Sequence, residues 1–378
     1  PLAAAYAVGA TRSFYLDQQD SRMATLQRQV TTGDGTKVNV WVESSEIGAA
    51  KVTPAMAEQL AGSFGKAGGI YDMVKAAGGP LWGPHDTPGL IPGAGQPVDI
   101  VVLNFDRNRT PYGMLGFFWA LHQLQRSVDS RSNESVSLFL DAETLYLGGE
   151  RGAKMIRMTM AHEAMHMGNF YRRGVLMGPT YQYETWLEEM TAMMMEDAAA
   201  SAIDPTYSPL RDVRLQDYLA HGSYNCALQD WTPYAACESY AVSGSLGGFL
   251  LRQLGVGFLR DLLHQRQVAS VAALDTAIQA AKPGSSLGQQ LRNFAATAIG
   301  VLPVSAPAPF GFPARNEGGF AIPAVDASQF KARRALPAGS PASLAAYGHH
   351  PVVRRAVRGT FAETVRVPPG TTLSVVVH

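Results

Sequence analysis

Three observations predict an α+β fold. Short apolar runs rich in β-branched residues cluster in the first 150 residues, and from Gly152 apolar residues recur at spacings of three and four. After Gly300 a Pro- and Gly-rich stretch blocks long helices and leads into further strand-like runs. The organisation that follows is an N-terminal α+β part with a mixed sheet over residues 1–151, a helical part over 152–300, and a Pro/Gly-rich crossing with a β-rich appendage over 301–378.

Each element has its own signal. "TKVNVWVE" alternates apolar and polar residues after the turn-like "TTGDG", which predicts a hairpin with the preceding "RMATLQRQV". "VDIVVLNF" and "SVSLFLDA" are short apolar runs of the kind that lie inside a sheet. Between the hairpin and these runs, "TPAMAEQLAGSFGKAGGIYDMV" has helical periodicity, and its Thr-Pro start suits a helix N-terminus. "GAKMIRMTMAHEAMHMGNFYRR", "ETWLEEMTAMMMEDAAA" and "SYAVSGSLGGFLLRQLGVGFLRDLLHQR" predict the helices of the second part. In the last part "FAIPAV" and "ETVRVPPGTTLSVVV" read as strands, the final one ending at His378.

Composition removes several function classes. The 378 residues suffice for two or three compact units at roughly 150 residues each. Lys plus Arg equals Asp plus Glu at 31 each, so no basic excess favours nucleic acid or an anionic membrane surface. No uninterrupted apolar run approaches the roughly 18 residues of a membrane span, and "PLAAAYAVGA" lacks the regions of a complete signal peptide, though it fits the mature side of a cleaved one. The only cysteines, Cys226 and Cys237, stand close enough to close one local loop. A disulfide there implies a secreted, cell-surface or periplasmic location, because disulfides are rare in the cytosol.

The chemistry-bearing motif is "MTMAHEAMHMGNFYRR", in which His162, Glu163 and His166 form H-E-x-x-H. Residues four apart lie one above the other on a helix, so both imidazoles can address one zinc ion. Glu163, one residue on, can reach a water beside the metal, as a general base requires. A catalytic zinc needs a third protein ligand. "ETWLEEMTAMMMED" offers Glu184, Glu188, Glu189, Glu196 and Asp197, and helical geometry alone does not choose among them.

These two blocks resemble the gluzincins, and within them the hyicolysin family, whose pattern is close to T-x-A-H-E-F-Q-H-M-I-N-F followed by W-L-N-E-G-L-S-M-L-A-E-D. Thr159, Ala161, His162, Glu163, His166, Met167, Asn169 and Phe170 fall on the first block; Trp186, Leu187, Glu189, Met193, Glu196 and Asp197 fall on the second. The resemblance covers roughly residues 10 to 300. It implies a gluzincin fold, one catalytic zinc ion and Glu189 as third ligand, and it makes "SNESVSLFLDAETLYLGGE" the edge strand before the zinc helix. Glu188 stands where the family has Asn, and Met190 where it has Gly. A family Asn at that place often holds substrate backbone, so Glu188 bears on what the site accepts.

The same resemblance assigns Tyr240, in "ESYAVSGSLGGFLLRQLG", as the donor that stabilises the oxyanion, with Tyr234 and His221 as alternatives. Glu196, seven residues beyond Glu189, is the candidate carboxylate behind a ligand imidazole; its other reading is a solvated or capping Glu. The loop "NCALQDWTPYAAC" puts Trp231 and Tyr234 just before Tyr240, at the rim of the cleft. The methionines of both blocks are read as core, not as soft-metal ligands. His349 and His350, adjacent in "GHHPVVRRAVR", are read as solvated.

The function expected is zinc-dependent hydrolysis of peptide bonds in a protein or peptide substrate. No G-x-M-E-N-like segment precedes the zinc helix, which favours an endopeptidase over an aminopeptidase. The rival from another class is a surface adhesin or binding protein that retains the metallopeptidase fold. Such a protein has no need of Glu163.

Overall fold

The computed structural model describes residues 5–17, 19–355 and 358–377. The first four residues of "PLAAAYAVGA", Ala356 and Val357 of the Arg-rich segment, and the expected strand end at His378 lie outside them. The chain is mixed α+β and divides into two compact units, Pro1–Gln182 with Ala198–Thr206, and Tyr183–Asp197 with Tyr207–His378.

In the first unit the apolar runs build one six-stranded sheet of order β1-β2-β3-β4-β6-β5. β1 (Thr11–Tyr15), β2 (Ser21–Thr31) and β3 (Lys37–Glu43) pair antiparallel, and β2 and β3 form the hairpin expected around "TTGDG". β4 (Val98–Leu103) and β6 (Val136–Asp141) continue the sheet in parallel, with Val40 opposite Ile100 and Ile100 opposite Leu138. Both β4 and β6 are buried along their whole length, which is why they read as unbroken apolar runs and not as alternation.

The short β5 (Gly116–Phe118) pairs antiparallel with β6 and forms the edge. This corrects the expectation that "SVSLFLDA" is the edge strand: β6 is interior, flanked by β4 and β5. Three residues carrying one Gly and two Phe give too little pattern for a strand to be read from sequence.

One sheet face carries a cluster of Phe14, Leu26, Trp41, Val101, Leu103 and Phe139. Asp99 is buried on that face, and its carboxylate accepts from Asn39 Nδ2 (2.8 Å), Trp41 Nε1 (2.9 Å), Ser135 Oγ (2.5 Å) and Arg12 Nη1 (3.3 Å). A carboxylate so supplied with donors can be buried without the penalty of an unmet charge.

Helices occupy the opposite face. The expected single helix is two, α1 (Pro54–Gly65) and α2 (Ile70–Gly78), parted where Gly68 takes φ +70°. The Thr53 side chain caps α1 by accepting from Met56 N at 3.3 Å, with Pro54 at the first position. α3 (Ala142–Leu147) starts where the Asp141 carboxylate accepts from Thr144 N at 2.7 Å, and α4 (Gly149–Asn169) follows.

The second unit is helical. It holds most of α5 (Thr185–Ile203), then α6 (Leu215–His221), α7 (Ser239–Leu263), α8 (Ser270–Ala281) and α9 (Leu287–Ile299). Gly255 breaks the helical path inside α7 with φ +88°. Asp197 and Arg252 form a buried ion pair linking α5 and α7, with Nη2 to Oδ1 at 3.2 Å and a second, shorter bond from Nη1.

Among the described residues after Gly300 the strands are β7 (Arg315–Glu317) and β8 (Phe320–Ile322), a single hairpin. "FAIPAV" supplies β8, but "ETVRVPPGTTLSVVV" forms no strand over its described residues, which are almost all exposed. Pro368 and Pro369 bring no amide donors to a ladder, and no second strand pairs with the segment.

His349 is likewise not solvated. Its ring packs at 6.1 Å from Tyr218 and 5.9 Å from Phe294, its Nε2 meets the Tyr218 hydroxyl, and its amide donates to Tyr224 O at 3.1 Å. A segment without secondary structure docks here through side chains distant in sequence, which local pattern does not encode.

Candidate metal centre

α4 carries the H-E-x-x-H residues. His162 and Glu163 are buried, and the rings of His162 and His166 stand 4.8 Å apart at 75°. The helical spacing of four does this: it stacks the two imidazoles on one side while turning Glu163 about 100° from His162. Met158, Met160, Met165 and Met167 fill the rest of the helix surface as core, as do Met190, Met193, Met194 and Met195 on α5.

One ligand atom from each of His162, His166 and Glu189 lies within 4.8 Å of the others. Among the described residues this is the one such cluster of His, Cys, Asp or Glu side chains. Of the five acidic candidates, four on α5 and Glu184 just before it, Glu189 is the one in that cluster. Glu184 accepts from Trp186 Nε1 at 3.1 Å, Glu196 pairs with Arg214 at 3.4 Å, and Asp197 pairs with Arg252. Two imidazole nitrogens and one carboxylate oxygen are a donor set that suits zinc.

Two contacts that sequence reasoning missed fix the placement. Arg157, five residues before His162, donates to Ile203 O (3.1 Å) and Asp204 (3.2 Å) and so ties α4 to the end of α5. Its signal was an arginine on an otherwise apolar helix stretch. Gly116 lets β5 lie against α4: a Cβ there would meet Thr159 Cγ2 at 2.7 Å and Phe139 O at 2.6 Å.

Tyr240 lies in the first turn of α7. That helix packs closely on α5, since a Cβ at Gly244 would meet Met193 Sδ at 2.7 Å and one at Gly247 would meet Met190 Cγ at 3.0 Å. Arg214, also missed from sequence, sits with its guanidinium 5.5 Å from the Tyr240 ring centroid and ion-pairs with Glu196. Burial works against its charge, but Glu196 and the neighbouring tyrosine hydroxyls outweigh this and raise its pKa. Glu196 thus spans to Arg214 and is neither solvated nor a cap; it is buried.

Cys226 and Cys237 form the expected disulfide. Within its loop Trp231 stands edge-on to Tyr240 at 4.8 Å, and Tyr234 lies 6.0 Å from it. Of the alternatives to Tyr240, His221 is exposed and its Nδ1 meets Asp217 O at 2.9 Å. No helix among the described residues is long and apolar enough to cross a membrane.

A zinc-type donor set on a mixed α+β scaffold is what the geometry defines. The family model Peptidase M30 matches residues 18–378, and the chain belongs to the Peptidase M30 family. Among solved structures it is similar to aminopeptidase A of Legionella pneumophila in complex with aspartic acid, at 12% identity and TM-score 0.41 over 73% of this chain and 28% of that one. It is also similar to a two-domain M1 zinc metallopeptidase mutant bound to L-arginine, at 13% identity and TM-score 0.34 over 73% of this chain and 48% of that one. The chain thus spans less than half the length of either. No curated protein matches the sequence.

Proposed function

We propose that the chain is a zinc-dependent endopeptidase of hyicolysin type that acts outside the cytosol on protein or peptide substrates. The observation that carries this reading is the convergence of His162, His166 and Glu189 with Glu163 one residue from the first imidazole. The disulfide supports an exported location. Every proposed site residue falls within residues 152–300.

His162, His166 and Glu189 would hold the zinc ion, which when bound polarises the scissile carbonyl and acidifies water. Glu163 accepts a proton as the water oxygen bonds to the carbonyl carbon. It then delivers that proton to the amine nitrogen as the C–N bond breaks, so one water is consumed and no covalent enzyme intermediate forms. Tyr240 donates its phenolic O–H to the oxygen that gains charge. Glu188, half-buried beside Glu189, adds a negative charge near the substrate path and disfavours acidic residues there.

The test is a peptide-library digest with zinc quantitation on the wild type and Glu163→Gln. The expected result is one zinc per chain in both and a loss of at least about 10³-fold in hydrolysis in the variant. Full activity in the variant would refute the mechanism. Zinc with no cleavage by the wild type would favour the adhesin reading.

A further inference from the structure

The loop closed by Cys226 and Cys237 holds Tyr234 in a state that packing does not explain. The residue is 84% exposed, yet its backbone takes φ +61°, a region that non-glycine residues enter at a cost of about 1 kcal/mol or more. An exposed aromatic side chain held in a strained backbone buries little in return. The strain is maintained by a set of local restraints. Tyr234 N and Tyr240 N both donate to Glu238 Oε1, at 3.2 and 3.3 Å. Thr232 N donates to Ser239 Oγ (2.8 Å), and Thr232 Oγ1 donates to Cys237 O (3.0 Å). The disulfide closes the loop covalently.

These restraints arrange three rings. Trp231 and Tyr240 are half-buried and meet edge to face, and Tyr234 lies tilted by 44° over the same Tyr240. Trp231 and Tyr240 are thus only partly covered and Tyr234 is exposed, and Trp and Tyr are the residues that give most binding energy for least lost freedom. The Arg214 guanidinium already faces the Tyr240 ring, so a second cation would meet repulsion. A flat, uncharged side chain fits best.

From this we infer that Trp231, Tyr234 and Tyr240 form a preorganised subsite for an aromatic side chain of the peptide substrate, flanking the bond to be cleaved. The position next to that bond rests on the peptidase reading, through Tyr240; the ring geometry does not.

Binding and cleavage are measured separately so that the two ideas fail separately. Full-length zinc-loaded Glu163→Gln protein is titrated with a peptide carrying Phe and with its Ala analogue, following Trp fluorescence. The same peptides are then digested by the wild type. The expected result is at least tenfold tighter binding of the Phe peptide and enrichment of aromatic residues beside the cleaved bond. The discrimination should fall to within about twofold of unity in Tyr234→Ala, whose side chain is too exposed to matter for folding, and drop part-way in Trp231→Phe. Equal binding of the two peptides, or discrimination that survives Tyr234→Ala, overturns the subsite. Discrimination in binding without any cleavage keeps the subsite and refutes the peptidase reading.

Discussion

α4 and the start of α7 both present side chains proposed to act in the site, yet they hold them by different means. On α4 the spacing of His162, Glu163 and His166 is enforced by a 21-residue helix whose backbone bonds are redundant, inside a methionine-rich core. Around Tyr240 the position depends on one disulfide, one carboxylate and a cation over the ring. The helix should therefore tolerate loss of a functional side chain without moving, whereas the loop region should lose geometry and function together.

The sharpest test of that contrast is His166→Ala. Alanine is the best helix former, so α4 should persist while one of the three proposed zinc donors is gone. Zinc content is expected to fall from one per chain to near zero with unchanged helical circular dichroism. A full equivalent of zinc in this variant would remove His166 from the ligand set.

Tyr240→Phe comes next. Deleting only the hydroxyl should lower kcat by about 10²–10³-fold, the range for loss of one oxyanion donor. KM and zinc content should barely change, because the ring still packs on Trp231 and under Arg214. A KM effect with unchanged kcat would make Tyr240 a binding residue alone.

The loop region should also be the acid-sensitive one. Burial holds His349 neutral, lowering its pKa to about 4 from an ordinary 6.5. Its segment is docked beside the loop by Leu228 N to Ala346 O (3.3 Å) and His349 N to Tyr224 O (3.1 Å). The unfolded chain binds the proton first, so this contribution to stability is complete above about pH 6.5. It declines as pH falls towards 4, by up to about 3 kcal/mol, and is flat below. Urea midpoints measured from pH 7 to pH 4 should fall less in His349→Gln than in the wild type; parallel slopes would show that His349 is not the sensor.

Legibility from sequence follows the same contrast. The helix spacing of His162 and His166, the hairpin at "TTGDG" and the buried runs of β4 and β6 depend on near neighbours, and each was readable. What α4 and Tyr240 lean on from afar was not: Arg157 reaches the end of α5, Arg214 reaches both Glu196 and Tyr240, and His349 docks against Tyr218. Helical geometry could not choose among the carboxylates at 184, 188, 189, 196 and 197 either, because a helix offers several faces and only tertiary packing brings one of them to the imidazoles. The strand expected in "ETVRVPPGTTLSVVV" failed for the converse reason: its β-branched residues favour an extended chain, but a strand also needs a partner.

The smallest expected effect isolates the weakest link of the loop region. Glu238 caps α7 by accepting from Tyr240 N, and the same oxygen accepts from Tyr234 N, so one side chain sets the helix start and the loop backbone together. Glu238→Ala removes a cap worth about 1 kcal/mol and should lower the urea midpoint accordingly. Because Tyr234 and Tyr240 would then be free to move independently, kcat should also fall by several-fold, more than the loss of stability alone would cause in a protein still fully folded. Glu238→Gln keeps a carbonyl acceptor at the same reach and should restore most of both. Equal losses in the Ala and Gln variants would mean that the charge of Glu238, not its accepting oxygen, is what matters at this helix start.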